Sequence, residues 1–313
     1  MTGKNTARTA EARQDTVRMG KDSKISWTTH TWNPWIGCHK VSPGCRSCYA
    51  ETLVTNRMGR DFSIVRRAAP ATFNSPLKWE DRIHTIGSHP PPLCDDCYSL
   101  DEIDDVTQYV FTCSLSDFFI EEADVWRDEA WEIIRRTPHL TYQILTKRPE
   151  RIAEHLPKVC FRCSTPSPGD DPADDTEVDC PHVWWPWPNV WLGTSVENQV
   201  YAEKRISQLV NVPAVVHFLS CEPLLGPIDF GTRRITYTDK TTITLSGFLS
   251  DIEWVIVGGE SGPHYREMNL DWARSIRDQC RAANVPFFYK QGNGIRSEMN
   301  PVLDGREWRE MPK

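Results

Sequence analysis

No apolar run in this 313-residue sequence approaches the about 20 residues that a membrane-crossing helix needs, so no membrane association is expected. The first 24 residues, MTGKNTARTAEARQDTVRMGKDSK, lack the apolar stretch of a secretory signal; they read as a flexible polar tail, and the chain as cytoplasmic. No G-x-G-x-x-G follows an early strand-like run, which counts against a dinucleotide-binding fold. Neither charge is in large excess: 36 Lys and Arg stand against 43 Asp and Glu, a net −7. The imbalance is local. Residues 94–105 hold six acids and no base, and 160–182 hold six acids and one Arg. With those stretches (−6 and −5) set aside, the rest of the chain stands at +4, which leaves room for a nucleic-acid surface.

Cysteine, by contrast, is abundant: there are 11. An odd count, three C-x-x-C pairs and no export signal argue for metal thiolates and against a disulfide framework. Cys113, Cys221 and Cys280 stand apart from any pair and read as buried, inert thiols.

Short β-branched runs alternate with helical periodicity. Strands are expected at Tyr109–Cys113, Tyr142–Leu145, Val190–Gly193, Val215–Leu219, Trp254–Val257 and Pro286–Tyr289, with a shorter one around Thr31–Ile36. Helical stripes run through Trp126, Ala130, Ile133 and Ile134, through Ala202, Ile206, Leu209 and Val210, and through Leu270, Ala273, Ile276 and Cys280, the last capped by Asn269. Such alternation implies an α/β fold with a parallel sheet, and about seven units favour a partial or complete (β/α) barrel. A single barrel domain over 25–313 is expected, with inserts near 84–105, 158–188 and 229–250.

In a barrel the functional side chains follow the carboxyl ends of the strands. Those places carry Cys38, Ser114 to Asp117, Lys147-Arg148, Ser195 to Asn198, Glu222, Gly258-Gly259-Glu260 and Lys290-Gln291. The first of them opens a loop with three thiols, Cys38, Cys45 and Cys48, at C-x6-C-x2-C. Three thiolates in one loop suit a [4Fe–4S] cluster with one iron left open; zinc, with His39 as fourth ligand, is the competing reading.

The loop W-N-P-W-I-G-C…S-P-G-C-R-S-C-Y-A-E, with L-T-K-R-P-E-R, N-V-W-L-G-T-S-V-E-N, S-C-E-P-L-L-G-P, V-G-G-E-S-G and F-Y-K-Q, resembles a phage-associated family of uncharacterised three-cysteine-motif proteins. The three-cysteine loop on a β/α barrel also resembles radical S-adenosylmethionine (SAM) enzymes, and its C-x-x-C-Y ending is similar to the spore photoproduct lyase type. The resemblance implies a [4Fe–4S] cluster on Cys38, Cys45 and Cys48, SAM on its open iron, an electron donor as partner, and a 5′-deoxyadenosyl radical. Two departures stand out. The usual cysteine spacing is C-x3-C-x2-C, and the Gly-Gly-Glu that contacts SAM usually follows the second strand, whereas Gly258-Gly259-Glu260 follows a late one.

Under this resemblance Glu260, Lys147 and Glu222 are the expected catalytic groups. Gly258, Gly259, Glu260, Ser195, Glu197, Asn198 and Arg148 are the expected cofactor contacts. Lys147 and Arg148 could equally be surface charge at a helix start, and Ser195, Glu197 and Asn198 could cap the helix that follows. The inserts add a second metal site, structural zinc on Cys160, Cys163, Cys180 and His182, with Cys94 and Cys97 in place of the last two as the alternative. The aromatic run Trp184 to Trp191 could stack nucleobases or pack an insert onto its host. The expected function is a radical SAM-type enzyme acting on nucleic acid, in repair or base modification. The alternatives are the same chemistry on a small molecule or protein side chain, or a non-catalytic iron–sulfur/zinc-binding interaction module.

Overall fold

The structure is a computed structural model that describes residue 23 and residues 25–87, 108–166, 181–231, 233–236, 242–245, 247–298 and 300–312. The tail expected at 1–24 and most of the insert at 84–105 lie outside the described residues, as do Cys94, Cys97 and Cys180.

Seven strands form one sheet: β1 (His30–Trp32), β2 (Gln108–Thr112), β3 (Leu140–Thr146), β4 (Val190–Ser195), β5 (Val216–Cys221), β6 (Trp254–Gly258) and β7 (Phe287–Gln291). Their spatial order is their chain order, and every pairing is parallel. Among the described residues β1 and β7 do not pair, so the sheet is open. Helices α1 (Tyr49–Met58), α2 (Ser75–Gly87), α3 (Asp124–Arg135), α4 (Gln199–Val210) and α5 (Leu270–Ala283) lie in the connections. No described helix is long and apolar enough to cross a membrane.

Every residue of β4, β5 and β6 is buried, as expected of parallel strands covered on both faces. One face carries Tyr142, Ile144, Leu192, Leu219, Val255 and Val257, in a cluster with Ile133, Ile134, Ile206, Leu209 and Ile276 of the helices. The other carries Phe111, Trp191, Phe218, Trp254, Ile256 and Phe288. On that second face Trp27 meets both Phe111 of β2 (ring centroids 4.6 Å) and Trp254 of β6 (5.9 Å). In a flat sheet β2 and β6 would stand about 19 Å apart. The sheet is therefore curled, a half-barrel whose concave face is plugged with aromatic rings. Gly193 belongs to this plug: a Cβ there would lie 2.4 Å from the Phe218 ring.

Strands run further toward their carboxyl ends than apolar character suggests, β4 to Ser195 and β5 to Cys221. Thr194, Ser195 and Ser220 are polar yet keep the ladder, so hydrophobicity stops before the hydrogen bonding does. The run expected at Thr31–Ile36 is divided. His30–Trp32 joins the sheet, while Trp35–Ile36 pairs antiparallel with Arg66–Arg67 beyond Pro34, which has no N–H to give. The insert near 229–250 contains an antiparallel pair, Arg233–Thr236 with Thr242–Leu245. Beyond β7 the chain returns along its outer edge: Tyr289 N donates to Trp308 O (2.9 Å) and Glu310 N to Phe287 O (3.2 Å).

Candidate metal centre

The segment that leads to the cysteines is fixed from several sides. Trp32 and Trp35 are fully buried, and their indole N–H groups donate to Phe73 O and Asp117 O, each at 3.0 Å. Asn33 Oδ1 accepts from Leu115 N (2.7 Å), which ties this segment to the loop after β2. Gly37 then turns with φ +111°, in the left-handed region, and a Cβ there would meet Ile64 O at 2.6 Å. Cys38 follows, its N–H donating to Phe62 O (2.9 Å). A 3-10 turn, Pro43–Cys45, carries the second thiol, and Cys48 is the N-cap of α1. All three thiols are partly exposed and in no disulfide.

Two braces hold this loop, one near each end. After β3, Arg148 pairs with Asp117 (3.0 Å), donates to His39 O (3.0 Å) and lies 3.7 Å from Cys38 Sγ. Burial, then the Asp117 charge, pushes the Cys38 thiol up to about 12, with Arg148 pulling the other way. After β4, Glu197 is fully buried; one carboxylate oxygen takes Arg205 (2.9 Å) and the other the Ser42 hydroxyl. Gly44 lies flat against that carboxylate, since a Cβ would come within 2.4 Å of Glu197 Oε1. Asn198 caps α4, accepting from Tyr201 N (3.3 Å).

The remaining rim residues line the concave side above the aromatic plug. Lys147 Nζ donates to Ser195 Oγ (2.9 Å). Lys290 Nζ donates to both oxygens of Glu222 (2.6 and 2.8 Å), and Gln291 joins them (3.3 Å). The Tyr49 hydroxyl donates to Ser114 O (2.6 Å). Gly258 lies against this group, a Cβ there meeting Glu222 Cδ at 3.3 Å. Glu260 is buried, and its carboxylate accepts from the backbone N (2.8 Å) and Nε (2.9 Å) of Arg266. Gly259 is packed against the protein's own backbone, with a Cβ falling 2.8 Å from Asn293 N. The structure thus brings Lys147, Ser195, Glu222, Lys290 and Gly258 to the concave mouth. Arg148 and Glu197 point to the cysteine loop, and Glu260 to Arg266.

Asp117 was visible in the sequence only as one more rim residue. Arg205 and Arg266 gave no signal, because each partners a carboxylate from inside an ordinary helix or loop.

At the opposite edge of the sheet Cys160, Cys163 and His182 offer ligand atoms all within 4.8 Å of one another. Among the described residues this is the group of ligand atoms gathered that closely. The aromatic run packs inward: Trp187 is fully buried, with Trp131 of α3 at 5.8 Å. A cavity of about 460 Å³ outside α3, lined by Asp124, Arg127, Glu132, Glu154, His155 and Lys158, holds no thiol; Asp124 there is already paired with Arg127 and Arg151.

A family model described as protein of unknown function (DUF5131) matches residues 22–312. The chain belongs to that family. No curated protein matches this DUF5131 member. Solved structures similar to it include a spore photoproduct lyase with one tyrosine changed to phenylalanine, at 11% identity and TM-score 0.42, covering 90% of this chain and 80% of that one. Another is spore photoproduct lyase complexed with dinucleoside spore photoproduct, at 11% identity, the same coverage and TM-score 0.41. Likeness that distant transfers no chemistry to the DUF5131 chain.

Proposed function

We propose that this protein is a radical SAM-type iron–sulfur enzyme whose cluster is held by Cys38, Cys45 and Cys48. The observation that carries the reading is the geometry of that loop. Its three thiols come from one loop at the carboxyl rim of a parallel half-barrel, and Arg148 and Glu197 tie that loop to the strand ends. A [4Fe–4S] cluster takes one thiolate on each of three irons and leaves the fourth iron open. The donor set fits: soft thiols, none in a disulfide, with the Arg148 guanidinium beside Cys38. When bound, cluster and SAM would supply a 5′-deoxyadenosyl radical, given one electron from a reductant.

The chain's own residues bind, orient and exclude water. Arg148 and Glu197 hold the loop in register with the strand ends. Lys147 offers an ammonium to a carboxylate, and Ser195 a hydroxyl to a ribose. Glu222 offers a carboxylate to an ammonium, with Lys290 and Gln291 fixing its direction. The aromatic plug closes the space beneath, so a ligand at the mouth would be dry on its inner side. Nucleic acid is the substrate class favoured by the +4 charge of the chain outside its two acidic stretches.

The test is anaerobic reconstitution, measurement of iron and sulfide, and assay of SAM cleavage to 5′-deoxyadenosine under a strong reductant. Cys38→Ala, Cys45→Ala and Cys48→Ala should each lose the cluster and keep the barrel's circular dichroism. Full iron and sulfide in all three, or no SAM binding by the loaded wild type, overturns the reading.

A further inference from the structure

The geometry points to a zinc ion on Cys160, Cys163 and His182, independent of the cysteine loop, that staples the segment before β4 to the outer helical layer. The ligand atoms lie within 4.8 Å of one another, and Cys163 Sγ is 3.5 Å from His182 Nδ1. With Zn–S near 2.3 Å and Zn–N near 2.0 Å, two ligands of one tetrahedral ion stand about 3.5–3.8 Å apart. The Cys163–His182 pair stands at that separation, and Cys160 lies within 4.8 Å of both.

The backbone is shaped to the same end. Cys160-Phe161-Arg162-Cys163 makes a tight turn in which Ser164 N donates to Cys160 O (3.1 Å). Ser164 closes it with φ +63°, a left-handed conformation uncommon for a residue bearing a side chain. Cys160 N donates to Thr165 O (2.8 Å), and Phe161 N donates across to Val183 O (2.8 Å), so the two ligand-bearing stretches run side by side. Val183 N donates to Cys160 Sγ (3.4 Å), the contact that stabilises a metal-bound thiolate. His182 is oriented by stacking on Trp184 (centroids 4.9 Å, planes 19° apart).

The place says what the ion does. Helix α3 runs from the carboxyl end of β2 to the amino end of β3, so its last residues mark the edge opposite Cys38, Cys45 and Cys48. Arg135, in that last turn, donates to Phe161 O and Arg162 O (both 3.4 Å). Phe161 packs on Trp187 (5.4 Å), and Trp187 on Trp131 of α3 (5.8 Å). The stretch 167–180 is acidic and proline-bearing, with little apolar material for a core, and a metal supplies cohesion that such a sequence lacks. These three ligands leave a fourth tetrahedral position, for water or one further ligand.

The experiment is metal analysis of the purified full chain from zinc-supplemented growth, with thermal unfolding of each variant. Wild type and Cys38→Ala should both carry one zinc. Cys160→Ser and Cys163→Ser should lose it and melt earlier. His182→Cys should retain it, since thiolate replaces imidazole, whereas His182→Ala, which removes a ligand, should lose most of it. Should the serine variants fail to fold, chelator titration of wild type gives the same answer: zinc release should change the fluorescence of the Trp184 to Trp187 group. Wild type without zinc, zinc retained in both serine variants, or zinc lost in Cys38→Ala overturns the proposal. The last outcome would also assign the zinc to the cysteine loop, while failure of SAM cleavage alone leaves this site standing.

Discussion

Glu197 and Arg148 both follow strand ends, yet their loss should be felt differently. Glu197 and Arg205 are buried together, so Glu197→Ala leaves an uncompensated guanidinium and should cost about 3–5 kcal/mol in denaturant unfolding. Arg148→Lys keeps a cation near Asp117 but loses the fork that reaches both Cys38 and His39. Its expected signature is a lower iron content after reconstitution with a smaller change in stability. Gly44→Ala separates loop from barrel more sharply. Its Cβ would collide with Glu197, so the loop should shift and iron content should fall, with a smaller loss of stability than in Glu197→Ala. That Glu197 and Arg148 would stand at the rim was legible in the sequence, because strand ends are where a barrel keeps its polar groups. Their direction was not legible. Arg205 lies eight residues after Glu197 inside a helix, and Asp117 sits in another loop, and neither pairing leaves a local trace.

At the scale of elements, Gly193 and Phe218 make a paired test. Gly193→Ala should destabilise by about 1–3 kcal/mol, because the methyl group enters the space of the Phe218 ring on the neighbouring strand. In the double variant with Phe218→Leu the two costs should not add, and additive unfolding energies would show that the ring does not lie over the glycine. The strands themselves were readable as β-branched and aromatic runs, and the helices α3, α4 and α5 as periodic stripes ended by proline or capped by asparagine. Boundaries were readable only to within a residue or two, since Ser195 and Ser220 look like loop residues and are strand residues. The single run expected around Thr31–Ile36 passed over Pro34, where the strand breaks, and the Arg66–Arg67 partner of its second half was not visible, being two isolated basic residues.

The curl of the whole sheet depends on the plug, and Trp27 is its widest piece. Trp27→Ala should cost about 3–5 kcal/mol, with intrinsic fluorescence and urea unfolding as the readouts, because its ring joins strands that are four places apart. The number of strands suggested a barrel from the sequence alone, and closure could not be read, since nothing local says whether a first and a last strand will meet. One of the two open edges is dealt with later in the chain. Phe287, Phe288 and Tyr289 are bare on their outer side until residues 308–310 fold back onto them. A nascent chain that has made β7 but not yet Trp308 therefore shows the cell an aromatic edge strand with unpaired amides, a template for aggregation. Sealing it falls to the segment translated after it, which makes that segment a safeguard on yield as well as a part of the fold.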